Sequence, residues 1–479
     1  MFRRSLILLA LVIAGIGFGH VESVEAVPAF ARQFDLQCNV CHTRPPRLNS
    51  FGEQFHMMGF QIPSAARPGG LVDSLKDQGF AKTILDTLAF RMEGGLFEST
   101  HSPDDTESKF VPPEEFTLFV TRPLLPDLSF FVELEAEPNA VVFEDGRFRT
   151  KGEVGLGKEA FFMANLGQTL GLIGAPTMRM GNQTMVGRHG GFNMHGPMMM
   201  AGKIDPSTNF SYPTNRQLIA ATETEVKEGE VERFPVVPYA FTSKFFGLFK
   251  DRDEGEPQLV TDQVMYNTEG APGADFHAML NNFLIDHPQI IQVIQVGFLR
   301  ENDGWNAYAA WRVDFGERDQ SAFNVSALIN WGFGVAWAPD PADHDRPSDR
   351  RVDRLRYGLA ANARWKGLDV YGALIRDQVF DLPSGLGGQF DRTATGLTLA
   401  LDYLAHEQVM LSTRFDQLWA GGLTDQKDDG SVLSFQVKYF LWQNIAFFVR
   451  DSVNLLSTIE DNPLRQWRNQ VVLGIDWDF

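Results

Sequence analysis

The stretch FNVSALINWGFGVAW, residues 323–337, places Phe323, Val325, Ala327, Ile329, Trp331, Phe333, Val335 and Trp337 at every second position, with Asn324, Ser326, Asn330, Gly332 and Gly334 between them. A period of two sends successive side chains to opposite faces of a β-strand, and no α-helix gathers those residues on one side. The alternation recurs in LRYGLAANARW, where Leu355, Tyr357, Leu359, Ala361, Ala363 and Trp365 oppose Arg356, Gly358, Ala360, Asn362 and Arg364. GLTLALDY sets Leu397, Leu399, Leu401 and Tyr403 against Thr398, Ala400 and Asp402, and LSFQVKYFL sets Leu433, Phe435, Val437, Tyr439 and Leu441 against Ser434, Gln436, Lys438 and Phe440. Each apolar face runs for about ten residues, the length a tilted strand needs to cross a bilayer. Trp337, Trp365 and Tyr403 fall near strand ends, where an interfacial aromatic girdle belongs.

The connections sort by length. Short ones at 365–368, 404–408 and 441–444 alternate with longer polar ones at 339–351, 381–391, 421–430 and 457–466. Short periplasmic turns and long extracellular loops mark a bacterial outer-membrane barrel. VVLGIDWDF closes the chain with Val471, Leu473, Ile475, Trp477 and Phe479 on one face, which looks like the aromatic-ended targeting strand of such barrels. Counting back from Phe479 gives about eleven strands down to 276–284, an alternation-based count of the barrel type. Upstream, 83–97, 114–124, 128–138, 153–166 and 238–249 read as strands, while 168–235 is ambiguous. With both termini periplasmic the total is even, and about 16 strands are expected, 18 being the alternative. The predicted fold class is mainly β: a transmembrane antiparallel β-barrel preceded by a small α-helical segment.

Arg3 and Arg4 precede the apolar run LILLALVIAGIGFG, and small residues lead up to Ala26. That is the pattern of a secretory signal peptide over 1–26, with an apolar core shorter than a spanning helix requires. A net charge of −19 excludes nucleic acid as a partner.

The chain's two cysteines, Cys38 and Cys41, precede His42 directly. Two thiols three positions apart trap the vinyl groups of a porphyrin, and the next His reaches its iron. In an exported chain this spacing predicts one covalently bound c-type haem with His42 as proximal ligand. A zinc site would lack two further ligands nearby, and a thioredoxin-like pair would want an α/β domain.

A helix is expected after RPPRLN, opened by a Ser50–Glu53 capping box, with Leu48, Phe51, Phe55 and Met58 at helical spacing to cover a haem face. His56, Met57 and Met58 are the alternative distal ligands; otherwise Met58 is core, and the iron is five-coordinate or takes a ligand from the barrel. The segment 178–200 packs Met178, Met180, Met185, Met194, Met198, Met199 and Met200 beside His189 and His195. Packing inside the barrel is the favoured role of these methionines, against copper(I) binding or a distal haem ligand. Arg356, Arg364, Arg414 and Arg450 fall on the inward phase, available to haem propionates, to an acidic plug surface or simply to the lumen.

AVPAFARQFDLQCNVCHTRPPRLNSFGEQFHMMGF resembles the N-terminal segment of the fused cytochrome–porin family, outer-membrane monohaem cytochromes proposed as iron(II) oxidases. The resemblance is carried by Pro28, Phe30, Ala31, Arg32, Cys38, Cys41, His42, Pro46, Leu48, Asn49, Phe51 and Gly52. It implies a monohaem segment at 27–78 and an outer-membrane barrel at 79–479. A segment of about 50 residues is too small to bury a haem well, so it is expected to plug the barrel. The resemblance further implies an electron conduit with iron(II):cytochrome c oxidoreductase activity. Electrons would pass from extracellular iron(II) to a soluble periplasmic cytochrome or copper protein, and outer-membrane lipid would surround the barrel. Outer-sphere transfer needs no general base or nucleophile, and no catalytic residue is assigned. The alternatives are a porin or solute channel with a haem-bearing plug or sensor, and a conduit that reduces an extracellular acceptor.

Overall fold

The computed structural model describes residues 29–34, 36–44, 47–57, 59–60, 71–102, 106–110, 115–125, 127–136, 141–144, 147–150, 154–166, 178–180, 183–185, 197–204, 226–227, 230–231, 249–251, 258–259, 271–281, 290–301, 304–315, 321–339, 347–380, 392–421, 430–442, 444–457 and 468–478. Residues 1–26, expected as a signal peptide, Phe479 and all of the expected 238–249 strand except its last residue lie outside them.

Sixteen strands form one closed antiparallel barrel. They are β1 (Leu88–His101), β2 (Glu115–Leu125), β3 (Leu128–Ala136), β4 (Val154–Asn165), β5 (Met198–Ile204), β6 (Ala271–Asn281), β7 (Ile290–Glu301) and β8 (Gly304–Phe315). The second half comprises β9 (Ser321–Pro339), β10 (Pro347–Trp365), β11 (Leu368–Phe380), β12 (Arg392–His406), β13 (Val409–Gly421), β14 (Gly430–Trp442), β15 (Ile445–Asn454) and β16 (Asn469–Asp478). Each pairs with its neighbour in the chain, and β16 returns to β1 with Asn469 opposite His101 and Asp478 opposite Arg91, which removes every open edge. Thr106–Phe110 continues the line of β2 beside the outer half of β1, and Phe249–Asp251 extends the rim beside β9.

The period-two pattern decides which way each side chain points. In β9, Asn324, Ser326 and Asn330 are buried, while Phe323, Ile329, Trp331 and Phe333 are exposed on the outer surface. β10, β12 and β14 repeat this with Arg356, Asn362, Thr398, Asp402, Ser434 and Gln436 inside and Tyr357, Leu359, Leu399, Tyr403 and Phe435 outside. An apolar exterior around a polar interior is the arrangement a bilayer selects, since a closed barrel leaves no backbone group unsatisfied in lipid. Among the described residues no helix is long and apolar enough to span a membrane.

Tight connections join β2 to β3, β10 to β11, β12 to β13 and β14 to β15 at the end that also holds the start of β1 and the end of β16. The longer ones of β9–β10, β11–β12, β13–β14 and β15–β16 lie at the other end, as the loop lengths predict. Three connections depart from the rule, one of them residues 282–289 between β6 and β7 at the terminal end. β7 and β8 meet across Glu301 and Gly304 at the long-loop end, and residues 166–197 separate β4 from β5 at the terminal end.

The wall begins later than residue 79. Residues 83–87, expected as strand, belong to a helix at Phe80–Thr87, because Thr83, Asp86 and Thr87 lie on one helical face against the protein.

Candidate functional site

Among the described residues five helices precede the barrel: α1 (Ala29–Phe34), α2 (Cys38–Cys41), α3 (Ser50–Met57), α4 (Leu71–Gln78) and α5 (Phe80–Thr87). The Cys-x-x-Cys pair occupies the single turn of α2, so the two residues share one side of it. His42 follows in a short strand that turns back on Arg47–Leu48, with His42 opposite Leu48. Leu48 therefore belongs to this strand pair, directly ahead of the helix that follows RPPRLN.

Asn49 ties the turn to α3. Its backbone N–H donates to the Cys41 carbonyl at 2.9 Å, and its side-chain amide donates to the Val40 carbonyl at 3.0 Å. Its Oδ1 accepts from the Gly52 N–H at 2.9 Å, which makes Asn49 the N-cap of α3. The Ser50–Glu53 capping box is thus replaced, and the reason lies across the barrel. The Glu53 carboxylate is taken by Arg312 of β8 and Arg364 of β10, each at 2.5 Å. Gly52 is required where it stands, because a Cβ there would collide with the Cys41 carbonyl oxygen.

The ion pairs continue along the wall. Arg364 also reaches Asp369 of β11 at 3.1 Å, Arg47 reaches the same carboxylate at 2.9 Å, and Arg312 reaches Asp314 at 2.7 Å. Three carboxylates thereby meet three guanidiniums, all largely buried. Arg47 also lies over the Tyr371 ring, 4.7 Å from its centroid. Burial pushes the Glu53 carboxyl upward, but the guanidiniums of Arg364, Arg312 and Arg47 outweigh it and hold the group well below the usual carboxylate range.

A second grip closes on the end of α3. The His277 Nε2 of β6 donates to the Met57 carbonyl at 2.8 Å, and its Nδ1 lies 2.8 Å from Asp275. Asp275 also accepts from the Tyr308 hydroxyl at 2.8 Å and from Gln295. At the other flank, Gln33 of α1 donates to the carbonyls of Asp86 and Thr121, and Arg32 donates to that of Leu88.

Between these polar grips lies an apolar cluster. Phe55 and Phe60 pack with Phe131, Phe161, Met163, Met198, Met200, Ile204, Leu299 and Tyr308 of the wall, and Cys41, Phe30 and Phe34 adjoin it. Phe30 stacks on Phe60 at 4.4 Å between centroids, and Phe60 on Phe131 at 5.1 Å. Gly59, at φ 65°, turns the chain against the wall where a Cβ would press on Met163 and Ser129.

The distal-ligand candidates separate. His56 is buried with its ring edge-on to Phe60 at 5.0 Å and Nε2 3.9 Å from Glu159 Oε2. Met57 instead joins Met279, Ile291 and Val293 in a different cluster. Met58 and the side chain of Cys38 lie outside the described residues, as do His189, His195 and Met194. Of the methionine-rich segment, Met198 and Met200 fill the apolar cluster, while Met178, Met180 and Met185 lie in a short hairpin.

Of the four arginines expected on the inward phase, Arg364 meets the acidic face of α3, and Arg414 pairs with Asp416 of its own strand at 2.9 Å. The sequence reading missed Arg47, Asp275, His277, Arg312 and Asp369. All but Arg47 sit on the inward phase of wall strands, so the alternation that set the strands marks them as lumen groups.

A closed sixteen-strand antiparallel barrel, apolar outside and polar inside, is an integral β-barrel protein of the outer membrane. This one encloses its own N-terminal segment, whose residues contact inward-facing side chains from β3 round to β11. The chain is similar to the anion-selective porin from Comamonas acidovorans, at 10% identity and TM-score 0.46 over 82% of this chain and 99% of that one. It is also similar to Salmonella typhi OmpF in complex with daunomycin, at 13% identity and TM-score 0.44 over 82% and 97%. A third similarity is to Vibrio cholerae OmpT lacking loop L8, at 8% identity and TM-score 0.42 over 82% and 98%. No family model and no curated protein matches the chain.

Proposed function

We propose that the protein is an outer-membrane electron conduit, in which Cys38 and Cys41 hold one c-type haem, His42 is its proximal ligand and extracellular iron(II) is the electron donor. The observation that carries this reading is the position of the Cys-x-x-Cys-His turn: it is bonded into the interior of a closed transmembrane barrel. A bound haem supplies reversible one-electron exchange. The residues fit the group, because the two cysteines share one helical turn and Cys41 faces an aromatic and methionine-rich cluster that excludes water. Gly52 lets α3 close on that turn, and Asn49 fixes it there.

In this reading His56 would be the second side chain to hold the iron. Its ring touches Phe60 and Phe161, members of the cluster that Cys41 adjoins, whereas the Met57 side chain belongs to a different part of the wall. The barrel supplies insulation and the grips on α3 fix the segment. Iron(II) oxidised at the outer face would leave insoluble iron(III) outside the cell, and a soluble periplasmic cytochrome or copper protein would accept the electron.

Covalent attachment is tested by the absorbance of the alkaline pyridine adduct, expected at one haem per chain and lost with Cys41→Ala. Stopped-flow mixing of the oxidised protein with iron(II) is expected to give the reduced spectrum. An oxidised haem that iron(II) leaves untouched across the physiological pH range would sink the donor assignment. A polar-lined barrel of this size can also pass solutes. Steady solute flux through reconstituted protein would favour a channel with a haem-bearing plug or sensor. Rapid oxidation of the reduced protein by an extracellular acceptor would reverse the direction of the conduit.

A further inference from the structure

Helix α5 is amphipathic the wrong way round for water. Phe80, Ala81, Ile84 and Leu85 occupy one half of its circumference, while Lys82, Thr83, Asp86 and Thr87 occupy the other. It is the polar half that faces the protein, with Thr83, Asp86 and Thr87 buried, while Phe80 is 73% and Leu85 65% exposed. The polar half is held by Arg122, whose guanidinium donates to the Thr83 carbonyl at 3.3 Å, to the Thr87 hydroxyl at 3.4 Å and to Ser74 of α4. Arg122 lies on β2, where Phe119 packs on the interior cluster and Thr121, two positions on, shares its phase. Strand alternation therefore sets Arg122 on the outer phase with Leu118 and Val120. The helix pair α4–α5 covers a charge that would otherwise meet the membrane, and it does so at the end of the barrel that carries the tight turns, hence the periplasmic rim.

The geometry points to α5 as an interfacial helix, lying in the periplasmic leaflet of the outer membrane with Phe80, Ile84 and Leu85 inserted among phospholipid acyl chains. Lipid is the occupant because the apolar half continues an interface already in the fold. α5 passes directly into β1 at Leu88, opposite Val120, and Leu125 at the adjoining turn is exposed beside it. Lys82, exposed on the polar half and 3.3 Å from Asp86, is long enough to reach headgroup phosphates. The inference rests on the barrel and is independent of the haem.

The test places a photoreactive side chain on the helix without touching the cysteines. The full chain carries Phe80→p-benzoylphenylalanine, Leu85→p-benzoylphenylalanine or, on the exposed side of α4, Asp77→p-benzoylphenylalanine. Each is reconstituted in vesicles of phosphatidylethanolamine and phosphatidylglycerol, irradiated and analysed by mass spectrometry. Phospholipid adducts are expected at positions 80 and 85 at several times the yield at 77. Equal yields at all three positions, or no adduct at 80 and 85, would overturn the inference. So would cross-linking of 80 and 85 to a protein in intact cells, which would make the face a docking surface. Assembly is read from resistance of the unboiled barrel to detergent unfolding, and Phe80 exchanges one aromatic ring for another, so a disrupted position 85 leaves the test intact.

Discussion

Glu53 is one carboxylate shared by two wall guanidiniums, Arg312 and Arg364, and its removal leaves both without their common partner. Breaking a buried pair in this way costs about 3–5 kcal/mol. Glu53→Gln is expected to lower the denaturant midpoint for protease attack within residues 29–60 while the barrel stays detergent-resistant. The pH dependence follows from the same contacts. A carboxyl whose folded value lies below its unfolded one, about 4.3 for Glu, contributes stability that is complete above that value and is lost only as pH falls through the lowered one. Protease resistance of the segment should therefore hold from about pH 7 to about pH 4 and fall off only in stronger acid. A loss between pH 6 and 5 would mean that some other group governs docking. On the proposed haem reading, His56→Ala should convert a low-spin spectrum to a high-spin one, and Met57→Leu should leave it low-spin. The reverse result would move the distal ligand to Met57. The sequence placed Glu53 in a capping box because its local spacing fits one, yet its partners are 259 and 311 positions away. No local pattern carries that information.

Helix α3 is held by a contact that only one residue type permits. An alanine in a helix interior is ordinarily favoured over glycine by about 1 kcal/mol. At Gly52 the added Cβ would strike the Cys41 carbonyl oxygen, a backbone atom fixed by the hydrogen bond from Asn49, so the sign reverses. Gly52→Ala should reduce haem incorporated per chain, measured as absorbance of the pyridine adduct against protein. Parental incorporation would show that α3 need not approach the Cys-x-x-Cys turn so closely. At the level of elements the strands were the legible part, because one face meets lipid and the other a filled lumen, and a one-residue slip would exchange them. Residues 83–87 were misread for a related reason. Their polar positions turn inward, so the usual equation of apolar with buried fails in α5. Leu48 falls at helical spacing with Phe51 and Phe55, yet it lies in a strand pair ahead of the cap at Asn49, which spacing alone does not show.

As a whole, the molecule sets a barrel wide enough for an aqueous channel around the N-terminal segment that it encloses. On one side Phe55 and Phe60 pack against Phe131 and Phe161, and on the other the three guanidiniums and three carboxylates join α3 and its approach to β8, β10 and β11. The barrel was readable from alternation and loop length, whereas the docking of the segment depends on pairings between the first sixty residues and strands up to hundreds of positions later. Such a lumen should conduct poorly. In planar bilayers the intact protein is expected to show little steady ion current, because leak past the segment must break either an aromatic seal or a balanced ion network. Arg312→Gln combined with Arg364→Gln removes both wall partners of Glu53 and leaves the strands paired, so intermittent openings should appear without loss of detergent resistance. If the intact protein already passes a large steady current that the double substitution does not alter, the segment does not seal the barrel, and electron transfer and solute passage would have to share one lumen. If the current appears only with the substitutions, the ion network is what keeps an insulating wall around the Cys-x-x-Cys-His turn.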